Sequence, residues 1–188
     1  PLVIVPKMVP TTYTINSFES IGLISSTSLV FTTRTGNPKF KDMASFLAYA
    51  RANPGKVSIG NAGIGTTNHI AIMQLQSIAK LDLNVVTYKG SGPAIIDLLG
   101  GQIDAMVDQL SSSVAHIKGG RMTAISVLAP ERDPLLPNTP STKEVGLPTL
   151  DISTTLGLLA PAKTPEATVK QLGDALFKVL QDPAVKEQ

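Results

Sequence analysis

The chain has 188 residues and a net charge of +2, with 16% charged and 4% aromatic residues and no cysteine or tryptophan. Without cysteine it has no disulfide, thiolate metal site or cysteine nucleophile. A nucleic-acid binder would carry clustered basic residues and stacking aromatics, and no apolar run reaches the ~18 residues of a membrane span. We therefore expect no nucleic-acid partner and no membrane-embedded segment.

Both ends of the chain look like cuts in a longer sequence. The chain opens on Pro1 and a strand-like apolar run at residues 2–5. It ends just after Asp182 and Pro183, which suit the N-cap and first position of a new helix. We therefore expect a fragment of a longer protein, whose remaining part would share any site formed between the two.

From residue 41 onward, short β-branched runs alternate with helical periodicity. The predicted strands cover residues 57–59, 84–87, 103–107 and 123–129. The predicted helices cover residues 43–50, 66–80, 93–99 and 111–118, with Pro93 at the first position of the third. Such alternation with short connections is typical of a parallel sheet covered by helices, so the middle of the chain is predicted to be α/β.

Five prolines interrupt this alternation between residues 130 and 148. We expect an irregular excursion there around one short helix at residues 142–145. Residues 151–160 then form a predicted long strand. Pro165 and Glu166 open a last helix, whose apolar face is formed by Val169, Leu172, Leu176, Phe177 and Leu180.

Two glycine-rich turns follow the first two predicted strands, at residues 63–68 (GIGTTN) and 90–93 (GSGP). In open α/β sheets ligands bind at the carboxyl ends of the strands, and helix N-termini favour anions. The alternative is that Thr66, Thr67 and Ser91 only cap their helices. Either interpretation fits one turn alone, but two such turns at one sheet edge favour an anion site.

Nucleotide and catalytic motifs are incomplete. A phosphate loop would need a lysine after its last glycine, and a dinucleotide fingerprint would need glycine where Asn68 stands. His69 and His116 have neither metal-ligand spacing nor an adjacent glutamate, and no serine lies in a G-x-S-x-G elbow. His69 is interpreted as an orienting or packing group rather than a base.

Asp108 ends the predicted strand 103–107 at the same sheet edge. A carboxylate there would accept hydrogen bonds from a ligand amine, a ligand hydroxyl or a bound water. The alternative is that Asp108 caps the helix at Ser111 or binds loop backbone. Lys89 and Arg121 are interpreted as solvated surface charges rather than anion clamps.

Seven short motifs then occur in order along nearly the whole chain: NPGK at 53–56, the loop 60–69, YKGSGPA at 88–94, DLLGGQID at 97–104, HIKGG at 116–120, EVGLP at 144–148 and GLLAP at 157–161. Each motif alone is loose, but the ordered series is specific. It resembles the extracytoplasmic solute receptors of tripartite tricarboxylate transporters, the Bug-type substrate-binding proteins.

The resemblance implies a type II periplasmic binding-protein fold, in which two α/β domains joined by two crossing strands surround a cleft. On this basis residues 34–152 would be the second, ligand-binding α/β domain. Residues 1–33 and 153–188 would be a partial first domain, with its N-terminal part missing from this chain. The crossings would lie near residues 29–34 and 152–156.

The resemblance also implies a set of ligand-binding residues and no metal or cofactor. The set is Gly63, Gly65, Thr66, Thr67, Asn68, His69, Gly90, Ser91, Gly92, Pro93, Ala94 and Asp108. The chain departs from the family at Thr155, where an aromatic residue is frequent, and at Met73, where an acidic residue is common. Both departures bear on the shape and size of the ligand rather than on the fold.

The function implied is that of a periplasmic receptor, which captures a small organic anion such as a mono- or dicarboxylate and delivers it unchanged to a membrane permease. One alternative is an enzyme that binds phosphate at residues 63–69 and uses His69 or Asp108 as acid or base. Another is a ligand-sensing effector domain of a regulator.

For the receptor, we expect Thr66→Ala and Thr67→Ala to weaken carboxylate binding more than Lys89→Ala does. Asp108→Asn should change which carboxylate is preferred. The 188-residue chain alone should bind carboxylates poorly and expose an apolar face.

Overall fold

The computed structural model describes residues 2–186. Pro1, at which a longer sequence is expected to be cut, and the last two residues lie outside the described residues. The chain divides into two compact units. The larger is Thr27–Thr154, and the smaller joins the residues up to Ser26 with those from Thr155 onward. The domain limits implied by the resemblance remain a prediction.

The larger unit is built on an open sheet with the strand order β3-β2-β4-β1-β5. The strands are β1 (Phe18–Arg34), β2 (Ser58–Asn61), β3 (Asn84–Thr87), β4 (Ala105–Gln109) and β5 (Met122–Val127). β2 runs parallel to β3 and β4, as predicted. β1, which precedes the predicted alternation of strands and helices, runs antiparallel to both β4 and β5.

The helices of this unit agree with the helical periodicity, with shifts of a few residues at their ends. They are α2 (Met43–Ala52), α3 (Thr67–Ala79), α4 (Ser91–Leu99) and α5 (Leu110–Lys118). α4 begins at Ser91, so Pro93 occupies its third position and not its first. A proline fits there because the amides of a first turn have no intrahelical acceptor.

Aromatic side chains fix α2 against the sheet. Phe46 of α2 and Phe31 of β1 are fully buried, with ring centroids 4.6 Å apart. Phe40 packs edge-on against Phe46 at 5.2 Å. α2 begins at an Asp42 N-cap, whose carboxylate accepts the Ser45 N–H at 2.8 Å. Capping and burial thus agree on where this helix starts and which face it buries.

The proline-rich segment after β5 contains no helix at residues 142–145, so that prediction is wrong. Hydrogen-bonded turns replace the helix, with the Leu147 N–H bound to the Thr142 carbonyl at 2.8 Å. Gly146 has a φ of +80° and Pro148 follows it, which ends the turn before a second one forms.

The smaller unit holds α1 (Val5–Met8), a 3₁₀ turn (Ile15–Ser17), the first part of β1, and most of β6 (Ser153–Pro161), which pairs with β1. α6 (Glu166–Leu180) and α7 (Pro183–Lys186) follow as predicted. A strand is predicted at residues 2–5, but residues 2–4 form turns and Val5 begins α1. Pro6 explains the difference, since it suits a first helical turn and cannot donate to a sheet.

No helix within residues 2–186 is long and apolar enough to cross a bilayer.

Candidate functional site

Three helices begin at one edge of the sheet in the larger unit. α3 follows β2, α4 follows β3 and α5 follows β4. Because these three strands are parallel, their carboxyl ends lie at the same edge, and the positive ends of the three helix dipoles meet there. Both predicted ligand loops lie at this edge.

The first loop, residues 63–66, is shaped by glycine. Gly63 and Gly65 have φ values of +150° and +74°, which side chains rarely allow. Thr66 is the N-cap of α3: its hydroxyl donates to the Gly63 carbonyl at 2.7 Å and accepts the His69 N–H at 3.3 Å. The capping interpretation of Thr66 is therefore correct.

Thr67 and Asn68 are the first two residues of α3. The Thr67 hydroxyl lies 2.7 Å from the hydroxyl of Thr154 and is engaged within the protein. In the described part of the chain, the backbone N–H groups of Thr67 and Asn68 have no acceptor. These two amides are free donors at the positive end of a helix.

Asn61, at the end of β2, holds the first loop against β3. Its side chain is fully buried; its amide donates to the Val86 carbonyl at 3.3 Å and to the Thr87 hydroxyl at 3.1 Å. Its side-chain oxygen Oδ1 accepts the Gly63 N–H at 2.9 Å. The sequence places Asn61 in the loop 60–69 and gives no signal of this role, because Asn61 acts as the last residue of β2.

The second loop begins at Gly90, which has a φ of +105° and caps α4 without a side chain. The Gly90 N–H donates to the Ala62 carbonyl at 2.9 Å, which joins the two loops. Ser91 does not cap α4, so the capping interpretation fails there. Pro93 has no N–H to offer a ligand, and Ala94 is buried, so neither of them contributes a free donor.

Asp108 lies within β4, not after it, and is 0% exposed. Its Oδ1 accepts the Ser91 hydroxyl at 2.5 Å and the Asn68 side-chain amide at 3.2 Å. Its Oδ2 accepts the Ser113 hydroxyl at 2.8 Å. α5 begins at Leu110 without a side-chain cap, so Asp108 does not cap it at Ser111 as the alternative proposed. Ser113 is a further residue that the sequence analysis did not identify.

Tyr88 lies just before the second loop and is hydrogen-bonded to α4. Its hydroxyl donates to Asp97 Oδ2 at 2.8 Å. Burial, together with the hydrogen bond and the charge of Asp97, raises the pKa of Tyr88 to about 12. The phenol therefore stays neutral and keeps its proton for this hydrogen bond across the physiological range.

Among residues 2–186, the side chains of the two histidines, Lys89 and Arg121 form no hydrogen bond or ion pair with one another. The Nδ1 atoms of His69 and His116 are buried without a hydrogen-bond partner in the described structure. Within residues 2–186, no group of three or more His, Cys, Asp or Glu side chains is placed to hold a metal ion. Lys89 and Arg121 are exposed, as expected for surface charges.

Comparison with solved structures identifies the class of protein. The chain is similar to the periplasmic binding protein BugD, with a TM-score of 0.85 and 33% identity over 90% of this chain and 56% of that one. It is also similar to MatC from Rhodopseudomonas palustris with bound malate, with a TM-score of 0.88 and 30% identity over 95% of this chain and 60% of that one. The predicted α/β periplasmic binding-protein fold is confirmed.

The family follows from the sequence profile of the tripartite tricarboxylate transporter family receptors, TctC, which matches residues 2–188. The chain belongs to this family, and the resemblance found from its motifs is confirmed. A relative from Pseudomonas sp. (strain P51), the UPF0065 protein in the tcbD-tcbE intergenic region, is 38% identical over 79% of this chain and 45% of its own length. The chain spans about half the length of the relatives that it matches.

The matched family is a family of receptors and not of enzymes. The similar structures BugD and MatC are also binding proteins. This agrees with the prediction of a binding protein and is evidence against the enzyme alternative.

Proposed function

We propose that the full-length protein is a periplasmic receptor that binds a small organic carboxylate and delivers it to the permease of a tripartite tricarboxylate-type transporter. The observation that carries this proposal is the pair of unpartnered amides at the start of α3. Membership of the receptor family and the malate bound to MatC favour a carboxylate as the anion.

The chemistry of the edge suits a carboxylate. Its donors are backbone N–H groups at helix N-termini, which hold an anion through short directional bonds and the helix dipole. Lys89, the cation nearest in sequence to the second loop, is exposed and forms no ion pair within the described residues. Recognition by fixed amides requires no reorganisation of a long charged side chain, which lowers the entropic cost of binding.

We keep residues 63–69 and 90–94 as the proposed ligand loops, with the contact made chiefly through the backbone. The hydroxyls of Thr66 and Thr67 already bind Gly63 and Thr154. Their removal should therefore act through loop geometry. The free amides of α3 should make the larger contribution to affinity.

Thr67→Pro tests this division directly. Proline lacks the N–H and is accepted at the first position of a helix. The preceding residue, Thr66, has φ −71° and ψ 160°, which is the extended conformation required before proline. In calorimetric titrations of the full-length protein with malate and succinate, losing one hydrogen bond to a charged ligand should cost about 1.5–3 kcal/mol, roughly tenfold or more in Kd.

Two variants control this experiment. Thr67→Ala removes the hydroxyl contact with Thr154 but keeps the amide, so it should weaken binding less than Thr67→Pro. Lys89→Ala should leave the affinity close to that of the wild type. A Thr67→Pro protein that is folded and binds as tightly as the wild type would show that the Thr67 amide does not hold the ligand.

A further inference from the structure

Asp108 is an acidic side chain that has no counter-ion among the described residues. It is fully buried, and none of the ion pairs found among residues 2–186 includes it. A buried carboxylate is costly unless hydrogen bonds and local dipoles offset its lost hydration. Here three neutral donors and the N-termini of three helices provide that compensation.

The three donors come from three different helices. Asn68 is the second residue of α3, Ser91 is the first residue of α4, and Ser113 lies in the first turn of α5. Asn68 also donates to the Val107 carbonyl at 3.2 Å, which attaches α3 to β4 beside Asp108. One carboxylate therefore fixes the starts of all three helices relative to one strand.

We infer that Asp108 is a positioning residue: it holds the first turns of α3, α4 and α5 in place and does not touch the ligand. The part of this inference that concerns the ligand rests on the proposed function. Both carboxylate oxygens are occupied by protein donors and the side chain has no exposed surface. A ligand therefore senses Asp108 only through the loops that it orients.

The first measurement is amide hydrogen exchange on the ligand-free, full-length protein carrying Asp108→Asn. Asparagine has nearly the same shape, but it carries no charge, so it weakens the charge-assisted hydrogen bonds from all three donors, and its amide nitrogen accepts none of them. We expect faster exchange in the first turns of all three helices. Ser113→Ala should loosen only α5, because it removes one of the three contacts.

Asp104→Asn provides the matched control for general destabilisation. Asp104 lies at the opposite end of β4, where it pairs with Lys39 at 2.7 Å and accepts the Ser58 N–H at 2.9 Å. This variant also removes a structural carboxylate of the same unit. It should leave exchange at the starts of α3, α4 and α5 unchanged.

The second measurement compares succinate with malate, which differ by one hydroxyl. For a positioning residue, Asp108→Asn should weaken both ligands by the same factor, about tenfold or more if one ligand contact is misplaced. A residue that accepts the ligand hydroxyl would instead penalise malate selectively. Asp108→Ala should be more severe than Asp108→Asn, because it removes every acceptor.

The inference is overturned if Asp108→Asn leaves the three first turns as protected as in the wild type, loosens only one of them, or selectively weakens malate. If the wild type binds neither or only one of the two dicarboxylates, the exchange pattern alone decides the inference. Failure of the wild type to bind any small carboxylate counts against the proposed function instead.

Discussion

Single buried polar side chains determine the shape of the candidate site. Asn61, Asn68, Asp108 and Ser113 are all buried, and each forms hydrogen bonds that replace those lost to water. Together they form a polar layer beneath the two ligand loops. A glycine pattern locates the loops, but these four residues hold the loops in position.

The sequence predicts the outer part of this site better than the inner part. Glycine turns after strands are local patterns, so residues 63–69 and 90–94 were located correctly at one sheet edge. The bond between Asn68 and Asp108 joins residues 40 positions apart. It exists only because β2 and β4 are neighbours in the sheet. No local spacing contains that information, so the contact between Asn68 and Asp108 cannot be predicted from the sequence.

Tyr88 gives a prediction that can be read by spectroscopy. The pKa of Tyr88 is raised to about 12 by burial and by Asp97, so its phenol should ionise near pH 12 in an alkaline ultraviolet titration. The raised pKa favours the folded state below pH 10, and this contribution is lost as the pH rises towards 12. Asp97→Asn should lower the midpoint of the Tyr88 ionisation.

Tyr88→Phe should remove the ionisation step near pH 12. A folded wild-type protein without an ionisation step near pH 12 would contradict the hydrogen bond between Tyr88 and Asp97.

At the scale of elements, helices α2 to α6 were predictable because their apolar periodicity and their turn signals agree. β1 is the exception. It is 17 residues long, and only the part that includes Leu29, Val30 and Phe31 is buried. The earlier part of the strand exposes glutamate and serine together with the apolar side chains of Leu23 and Ile24. A strand whose burial changes along its length has no single pattern that a sequence window detects.

The segment between β5 and β6 is held by an ion pair instead of a helix. Arg132 Nε lies 3.0 Å from both carboxylate oxygens of Glu144, and its Nη1 donates to the Pro137 carbonyl at 2.9 Å. The Ser141 N–H also binds Glu144 at 2.8 Å. The two-oxygen contact with arginine is a specific geometry that lysine would not reproduce.

This ion pair predicts a pH-dependent difference in melting temperature. The hydrogen bond from Arg132 is the main cause that lowers the pKa of Glu144 from 4.5 to about 2. The pair therefore stabilises the fold above pH 4.5, and this contribution is lost as the pH falls towards 2. Thermal unfolding of the wild type and Glu144→Gln should differ most near neutral pH and converge in acid.

The difference should be small because both side chains are partly solvated. Lys170→Ala removes an ion pair whose side chains are far more exposed, so it should have less effect than Glu144→Gln at neutral pH. If the difference in melting temperature between the wild type and Glu144→Gln widens in acid, the ion pair does not stabilise the fold in the way that the lowered pKa of Glu144 implies.

At the scale of the whole molecule, the two units differ in how they bury their apolar side chains. The larger unit holds three clusters of buried apolar side chains, whereas α6 in the smaller unit has no buried residue. Leu172 and Phe177 of α6 are 41% and 68% exposed, and Leu156 of β6 is 57% exposed. Exposed apolar surface of this kind binds hydrophobic probes.

We therefore expect the 188-residue chain, prepared alone, to enhance the fluorescence of a hydrophobic dye. Phe177→Asp should reduce this enhancement, because it places a charge in the exposed apolar face of the smaller unit. Ile96→Asp is the matched control, since Ile96 is 70% exposed on α4 in the larger unit. Equal effects of the two substitutions would show that the dye does not distinguish the smaller unit.

During synthesis, β1 leaves the ribosome well before either strand beside it. Val30 pairs with Asp108 on one side and with Val127 on the other, while β2, β3 and β4 are linked by short strand–helix units. Closing such long loops costs entropy before any contact repays it. The pairing of β1 with its neighbours is therefore completed last. Until β4 and β5 arrive, the nascent chain carries an unpaired apolar strand that other chains can bind, which makes this the step most exposed to aggregation.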